Sequence, residues 1–428
     1  MAMKVQKPVV VHIEGRSMLY RQVLYTIAIL FFVNIAGASA QPLTHSVRQF
    51  THFPAVKIYS SAVTADGNIV NVGWCADGNS LGYIEMVDPK GEVLWARIVG
   101  PTGPYTLSFE GVTILKDGSI VVTGFGTDDV PFPTVLTKFS PSGNLLWFHR
   151  YYSMRTDMHY AAVAAKNGDF LLFADAQKGT ILRTDSAGNP RWAKRVYIDS
   201  TAIGHLKYAG MAEAEDSTIM LFGDGIISRG PKPSNAVSGA FITQLSPTGT
   251  PKQTSAYFAT ARSLTINSLC QISDGSYALI GSAFTNLPMV LKLSAAGTLL
   301  WAKTLTCFAD KNQQLTAITS ASPEVITCLS LSASGAGTWN LFSMDRTGDI
   351  MNAVELSDMN VKKGTLAYLP VDNTYTLTTT TATQVNNQQY ERFTFDAALN
   401  GCETKGMLCV VTPLDLIDTL ISTITVSS

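Results

Sequence analysis

The sequence predicts an all-β protein, a seven-bladed β-propeller of four-stranded antiparallel blades, and three observations lead to it. Two short hairpin patterns alternate along the chain, about seven times each, with a repeat of about 50 residues. Each pattern places a turn residue, usually glycine, between stretches rich in β-branched and aromatic residues. A single four-stranded sheet cannot bury both faces, so successive sheets must stack, and closing them into a ring leaves only short edges.

The first pattern is a strand, a tight turn and a second strand. It recurs at 63–74, 113–126, 164–175, 212–225, 271–284, 319–332 and 369–381. Four copies keep an intact turn pair, at Asp66-Gly67, Asp117-Gly118, Asn167-Gly168 and Asp274-Gly275. Such a pair between β-rich stretches predicts a type I′ turn, in which both central residues take positive φ. The sixth copy has Ser322-Pro323 at this point, which predicts a different turn.

The second pattern is a hairpin with a turn glycine that is often followed four residues later by tryptophan. Four copies are complete, and they place Trp95, Trp147, Trp192 and Trp301 at the start of a fourth strand. The copies at 246–253 and 345–352 keep the glycine and lose the tryptophan, and 395–402 keeps only the general shape. A large apolar ring at this position predicts a side chain that fills the gap between adjacent blades.

Ring closure has two candidate strands. Residues 46–53 resemble a fourth strand without its tryptophan and could complete the last blade or cover the first, while 401–411 could fill the same place. Six or eight blades therefore remain alternatives to seven. Residues 412–428 are rich in Thr, Ile and Ser and lie beyond the propeller, which is assigned to 41–411. They are expected to form a tail that is either an extra edge strand or a linker.

Residues 1–40 have the pattern of a signal peptide, with Met18 as an alternative start. Basic residues precede an apolar run at 24–35, and Ala38-Ser39-Ala40 gives a cleavage pattern before Gln41. The run is too short to span a bilayer comfortably, although an uncleaved anchor is the alternative. We expect a secreted or cell-surface protein with no transmembrane span in the mature chain.

Composition and motifs exclude several classes of function. The net charge of −1 argues against a nucleic-acid partner, which requires a basic surface. The sequence contains no His-Glu-x-x-His or Cys-x-x-Cys motif, and no catalytic residue, cofactor or metal site is predicted. A monomer is expected. Cys402 and Cys409 are close enough in sequence to join the last hairpin by a disulfide in an exported protein.

The repeat also resembles a known family. The succession Asp-Gly-Ser-hydrophobic-Gly, then Gly-x-x-x-Trp-Ala followed by a basic residue, is similar to the secreted seven-bladed β-propeller repeats of Bacteroidetes-type bacteria. The resemblance covers residues 46–411 and implies a propeller fold in an exported bacterial protein. It implies little about activity, because propellers host many unrelated functions.

The lengths of the connections predict where a ligand binds. With strands named A to D from the ring axis outward, turns A–B and C–D lie on one face of the ring, here called the turn face. Loops B–C and D–A lie on the other, the loop face, and the longer segments fall there. Because rigid scaffolds carry binding residues on such loops, we expect ligand contacts from Glu110, Tyr152, Arg155, Asp157, His159, Tyr160, His205, Lys207, Tyr208 and Arg229.

Two functional hypotheses follow. The first is a non-catalytic secreted or cell-surface binding module that recognises protein or glycan through the loop face. The second is a polysaccharide-active hydrolase or lyase at the central mouth of the ring. Its candidate acid–base groups are Glu110, His159, Tyr160 and Lys207, since the starts of the first strands converge at the axis. Packing of the loop residues on each other is the alternative to either function.

Overall fold

The structure is a computed structural model that describes most of the chain from residue 45 onward. The described residues are 45–49, 56–77, 79–100, 106–127, 133–152, 160–174, 179–197, 203–228, 236–259, 263–283, 287–305, 313–332, 339–356, 361–382, 388–396, 398–399, 404–406, 411–413, 416–421 and 425–427. The expected signal peptide, residues 1–40, lies outside this part.

The described strands form seven antiparallel sheets, each with a four-stranded core. We number these sheets blades 1 to 7. Blade 1 contains β2 (Val56–Val63), β3 (Ile69–Asp77), β4 (Asn79–Val87) and β5 (Val93–Val99). Blade 2 contains β6 (Thr106–Ile114), β7 (Ile120–Thr127), β8 (Thr134–Phe139) and β9 (Leu145–Tyr151). Blade 3 contains β10 (Tyr160–Ala164), β11 (Phe170–Ala174), β12 (Thr180–Thr184) and β13 (Pro190–Tyr197).

Blades 4 to 6 repeat this order. Blade 4 contains β14 (Ile203–Glu213), β15 (Ile219–Ser228), β16 (Ala236–Leu245) and β17 (Pro251–Ala259). Blade 5 contains β18 (Leu264–Gln271), β19 (Tyr277–Ala283), β20 (Leu287–Leu293) and β21 (Leu299–Leu305). Blade 6 contains β22 (Gln313–Ser322), β23 (Val325–Ser332), β24 (Trp339–Asp345) and β25 (Ile350–Leu356). Blade 7 contains β26 (Val361–Leu369), β27 (Thr374–Ala382) and β28 (Gln388–Asp396).

The N-terminal strand completes blade 7 and closes the ring. Strand β1 (His45–Gln49) pairs antiparallel with β28, with His45 opposite Phe393 and Gln49 opposite Gln389. The innermost strand of each blade contacts that of the next, and β26 contacts β2. The Thr365 hydroxyl donates to Ser61 Oγ at 2.9 Å across this seam. The seven-bladed, all-β prediction is confirmed, and of the two closure strands the N-terminal one is used.

The residues after blade 7 add a fifth strand to four other blades. Strands β29 (Thr404–Gly406), β30 (Val411–Pro413), β31 (Leu416–Ile421) and β32 (Thr425–Ser427) pair with the outer strands of blades 6, 5, 4 and 3, in that order. We call these four strands the C-terminal belt. Because β1 already occupies the fourth position of blade 7, the chain passes to the outside of blade 6. Of the tail alternatives, the described residues form edge strands.

The hairpin turns differ from the type I′ geometry expected at the Asp-Gly pairs. In blade 1, Gly67 N donates to Thr64 O at 3.0 Å, Thr64 N donates to Asn68 O at 2.8 Å, and Gly67 has a φ of 80°. Asp66 is not among the non-glycine residues with positive φ. The loop therefore has three residues closed by one left-handed glycine, and the type I′ prediction is wrong. A three-residue loop reverses the chain with a single residue at positive φ, whereas the two-residue type I′ turn requires two.

Turns that lack the glycine solve the same problem in other ways. Ser217, Asn373 and Leu399 take positive φ of 63°, 52° and 61° at the equivalent position. In blade 6, Ser322 pairs directly with Val325, which leaves the two-residue loop Pro323-Glu324. The sixth turn thus differs from the others, as its sequence predicts.

The tryptophans of the second pattern lie between blades, as predicted. Trp95 Nε1 donates to Pro141 O of blade 2 at 3.1 Å, and Trp301 Nε1 donates to Arg346 O of blade 6 at 2.8 Å. The receiving turn carries a glycine because a Cβ at Gly143 would lie 2.6 Å from the Trp95 ring. Between blades 2 and 3 the side chain that bonds to the turn is His149, with Nε2 at 2.9 Å from Ala187 O. Between blades 4 and 5, where the pattern has no tryptophan, Gln244 Nε2 donates to Ala296 O at 2.9 Å.

Replacing Trp301 by alanine tests this docking. We expect Trp301→Ala to lower the free energy of unfolding by about 2–3 kcal/mol, because the half-buried ring and its hydrogen bond to Arg346 are both lost. Urea unfolding gives the value. Leu300→Ala is the matched control, since Leu300 is 55% exposed and its truncation should change stability by less than about 0.5 kcal/mol. Equal effects of the two substitutions would contradict the docking role.

Candidate functional site

Much of the predicted loop-face site falls outside the described residues. Arg155, Asp157, His159 and Arg229 belong there, as do Cys402 and Cys409. The structure therefore describes the margin of the loop face, part of the wall of the central opening and most of the turn face.

The innermost strands share a bulge that the sequence did not predict. In five blades the pairing of strand A with strand B shifts by one residue near the middle of strand A. The extra residues are Tyr59, Glu110, Ala209, Asn267 and Thr316. A glycine in strand B permits the bulge in four blades: a Cβ there would collide with a strand A carbonyl oxygen. These are Gly73, Gly124, Gly223 and Gly281. Their recurrence after the hairpin turn was the available signal.

Two predicted residues, Glu110 and Lys207, lie on this inner wall. Glu110 is the extra residue of the bulge in β6, and its carboxylate accepts a hydrogen bond from Ser108 Oγ at 2.8 Å. Lys207 is exposed in β14, opposite Asp224 and two residues before the extra residue of that strand. The ring places a carboxylate and an ammonium group on innermost strands of blades 2 and 4.

The residues at the equivalent bulges add hydrogen-bonding groups to this wall. Trp74 Nε1 donates to Tyr59 OH at 2.9 Å, and the Lys57 ammonium lies 4.9 Å from the centre of the Tyr59 ring. Asn267 is exposed and donates through Nδ2 to Leu315 O of blade 6 at 3.0 Å. The described wall is therefore polar and partly accessible, a chemistry that suits a polar ligand.

The remaining described candidates divide between surface and core. Tyr152 follows β9 at the loop-face end of blade 2 and is 54% exposed. Tyr160 begins β10 and His205 lies near the start of β14, so their backbones are at the loop-face ends of innermost strands. Tyr208 is 2% exposed, and its ring centre lies 4.8 Å from that of Phe173. Tyr208 packs blade 4 against blade 3, so its expected ligand contact is replaced by a core position.

A buried charged cluster on the turn face joins blades 3 and 4. Asp169 accepts hydrogen bonds from Arg183 Nε at 2.8 Å and from Arg191 Nε at 3.0 Å. Arg183 also donates to Pro247 O of blade 4 at 3.1 Å and lies 3.8 Å from the Glu213 carboxylate. The charges neutralise one another within the protein, so this cluster is a clamp between blades.

Within the described part, His, Cys, Asp and Glu side chains form no group of three or more that could hold a metal ion. The same part likewise contains no helix long and apolar enough to cross a membrane.

Comparison with known proteins shows the fold alone. No family model and no curated protein matches the chain. The chain is similar to an ulvan lyase, with a TM-score of 0.51, 9% identity, and coverage of 84% of this chain and 98% of that one. A protein of unknown function from Dyadobacter fermentans gives a TM-score of 0.44 at 12% identity, over 81% and 98%. A protein of unknown function from Bacteroides caccae gives a TM-score of 0.38 at 12% identity, with coverage of 61% of this chain and 93% of that one.

The clamp between blades 3 and 4 predicts an acid-sensitive contribution to stability. Burial alone would raise the pKa of Asp169, but hydrogen bonds from Arg183, Asn167 and Arg191 outweigh it and hold the pKa below its usual value. A carboxyl group with a lowered folded-state pKa stabilises the fold above its unfolded-state pKa of about 3.9, and this stabilisation is lost as the pH falls through the folded value.

We therefore expect Asp169→Asn to be less stable than the native protein at neutral pH and to lose less stability on acidification. Urea unfolding between about pH 6 and pH 3 measures both. Asp66→Asn, at an exposed turn of blade 1, is the control, and its free energy of unfolding should depend on pH as that of the native protein does. The same pH dependence in Asp169→Asn would show that this carboxylate is not the acid-sensitive group.

Proposed function

We propose that the protein is an exported binding module that recognises a protein or glycan ligand through the loop face. The observation that carries the proposal is the difference between the two faces of the ring. On the turn face most described connections are short loops closed by one left-handed residue. On the loop face the connection between β9 and β10 spans 152–159 and that between β15 and β16 spans 229–235. Variable loops on a rigid scaffold are the usual place for recognition.

The chemistry of the central wall supports a polar ligand. Glu110 and Lys207 offer charges, Asn267 offers an amide, and Tyr59 offers an aromatic ring with a hydroxyl. Such a mixture of hydrogen-bonding groups and aromatic surface suits sugars or peptide backbones. One chain closes the ring, so the proposal requires no second copy. Export rests on the signal-peptide pattern of residues 1–40.

Array binding tests the proposal. Residues 41–428 are applied to glycan and peptide arrays, and the ligand found is titrated against two loop-face variants, Tyr152→Ala and Arg155→Ala. We expect affinity to fall about tenfold or more in at least one variant, because each removes a side chain able to contact the ligand. Lys90→Ala, at an exposed turn-face position of blade 1, is the control and should bind normally. Native affinity in both loop-face variants, or loss in the control, would contradict the loop-face assignment.

A hydrolase or lyase at the central opening is the second candidate, and the position of Glu110 favours it. A carboxylate on an innermost strand can donate or accept a proton at a bound sugar. The binding proposal expects the mature protein to leave anionic and neutral polysaccharides intact, as measured by reducing ends and by the ultraviolet absorbance of unsaturated products. Cleavage that Glu110→Gln reduces by about 100-fold or more would establish the enzyme instead.

A further inference from the structure

A cavity opens on the turn face between blades 2 and 3, away from the loop face. Its volume is about 710 Å³, within the range of small-molecule sites. The walls are largely apolar and include Leu115 of blade 2 and Val163, Ala164 and Phe170 of blade 3. Lysines line its border, at Lys116, Lys138 and Lys166, with Asp117 as the acidic residue among the lining side chains.

The neighbouring interface shows what this cavity lacks. Lys138 lies opposite Trp147 in blade 2, and Arg183 lies opposite Trp192 in blade 3, so these cations hold equivalent positions in the repeat. Between blades 3 and 4, Arg183 faces the carboxylate of Glu213, which belongs to the innermost strand of the following blade.

The equivalent of Glu213 at the cavity is an alanine. Ala164 lies opposite Phe170 at the end of β10, as Glu213 lies opposite Ile219 at the end of β14. The interface of blades 2 and 3 thus keeps the cation of the clamp and lacks the carboxylate. The space that the longer side chain fills in one interface is open in the other.

A second substitution widens the opening. In blades 1 and 2, Pro89 and Pro141 approach the glycine of the adjacent A–B turn and would lie 3.6 Å and 3.2 Å from a Cβ there. Blade 3 has Ser186 at this turn position, and a Cβ at Gly168 would have no neighbour within 4 Å. Two independent changes in blade 3 therefore contribute to the same cavity.

The charge at the cavity is only weakly compensated. Lys138 Nζ lies 3.9 Å from Asp117 Oδ2, the long end of the ion-pair range, and Asp117 is 61% exposed. Asp117 also accepts the backbone N–H of Ser119 at 2.9 Å. The side chain of Lys138 is only 16% exposed, and three lysines against one aspartate favour an anion.

We propose that this cavity binds a small organic anion with an aryl or alkyl body and one carboxylate. The apolar body lies against Leu115, Val163 and Phe170, and the carboxylate occupies, beside Lys138, the place that Glu213 occupies beside Arg183. The site is independent of the loop face, and its test does not depend on the ligand found there.

A pair of probes that share a naphthyl body, one with a carboxylate and one with a neutral hydroxymethyl group, tests the site. 2-Naphthoate and the neutral 2-naphthylmethanol are titrated into residues 41–428 by isothermal titration calorimetry. We expect saturable one-to-one binding of naphthoate and binding of the alcohol that is about tenfold weaker or more, since the alcohol forms no ion pair with Lys138. Absence of saturable naphthoate binding at millimolar concentration, or equal affinity for both probes, overturns the proposal.

Three variants identify the site. Ala164→Glu restores the carboxylate of the clamp and should abolish naphthoate binding with no loss of thermal stability. Ser186→Pro introduces the proline that blades 1 and 2 have at this position and should weaken the binding of both probes. It gives a second test of the site if Ala164→Glu folds poorly. Lys138→Met introduces the residue that blade 1 has at this position, Met86, and should make the two affinities equal.

Lys90→Met, on an exposed turn of blade 1, controls for loss of a surface charge and should bind both probes normally. Native naphthoate binding in folded Ser186→Pro and Lys138→Met, or loss of binding in Lys90→Met, overturns the assignment to this cavity.

Discussion

The structure depends on one recurrent contact, in which a side chain from an outer strand docks on the C–D turn of the next blade. Trp95, His149, Trp192 and Trp301 each lie against the turn glycine of the following blade, and a Cβ at that glycine would press on them. The glycine is required twice, for its left-handed φ and for this close approach. Because the contact recurs at successive interfaces, it sets the spacing at which the sheets stack.

This contact explains why the two faces of the ring differ. The C–D turns contribute carbonyl groups and glycines to inter-blade packing, so their length cannot vary without separating two blades. The connections on the opposite face carry no such contact in the described part and can lengthen. The outer rim is also shared: β1 occupies the last position of blade 7, and the C-terminal belt then pairs with four outer strands that would otherwise present open edges.

The features predicted from sequence are those encoded within one repeat. Turn glycines and tryptophans act over a few residues, so their spacing gave the blades, the inter-blade rings and the short turns. The belt depends on pairing between distant strands whose register no local pattern specifies, whereas the bulges left one local signal, the glycine that recurs in strand B. Tyr208 shows the same limit, because an aromatic residue beside Lys207 and His205 is equally compatible with a ligand site and with the core. Arg155 and His159 remain predictions.

Differences between equivalent positions carry information that the repeat itself does not. A repeat imposes one backbone on every blade, so an interface that keeps its neighbour's cation but replaces the carboxylate by alanine has lost a stabilising partner without losing its shape. The Arg183–Glu213 interface shows that the backbone accommodates the larger group. Lys138 forms only a long ion pair, 3.9 Å, with the exposed Asp117 and lies beside a largely apolar cavity. The position of Lys138 is therefore better explained by a ligand carboxylate than by packing.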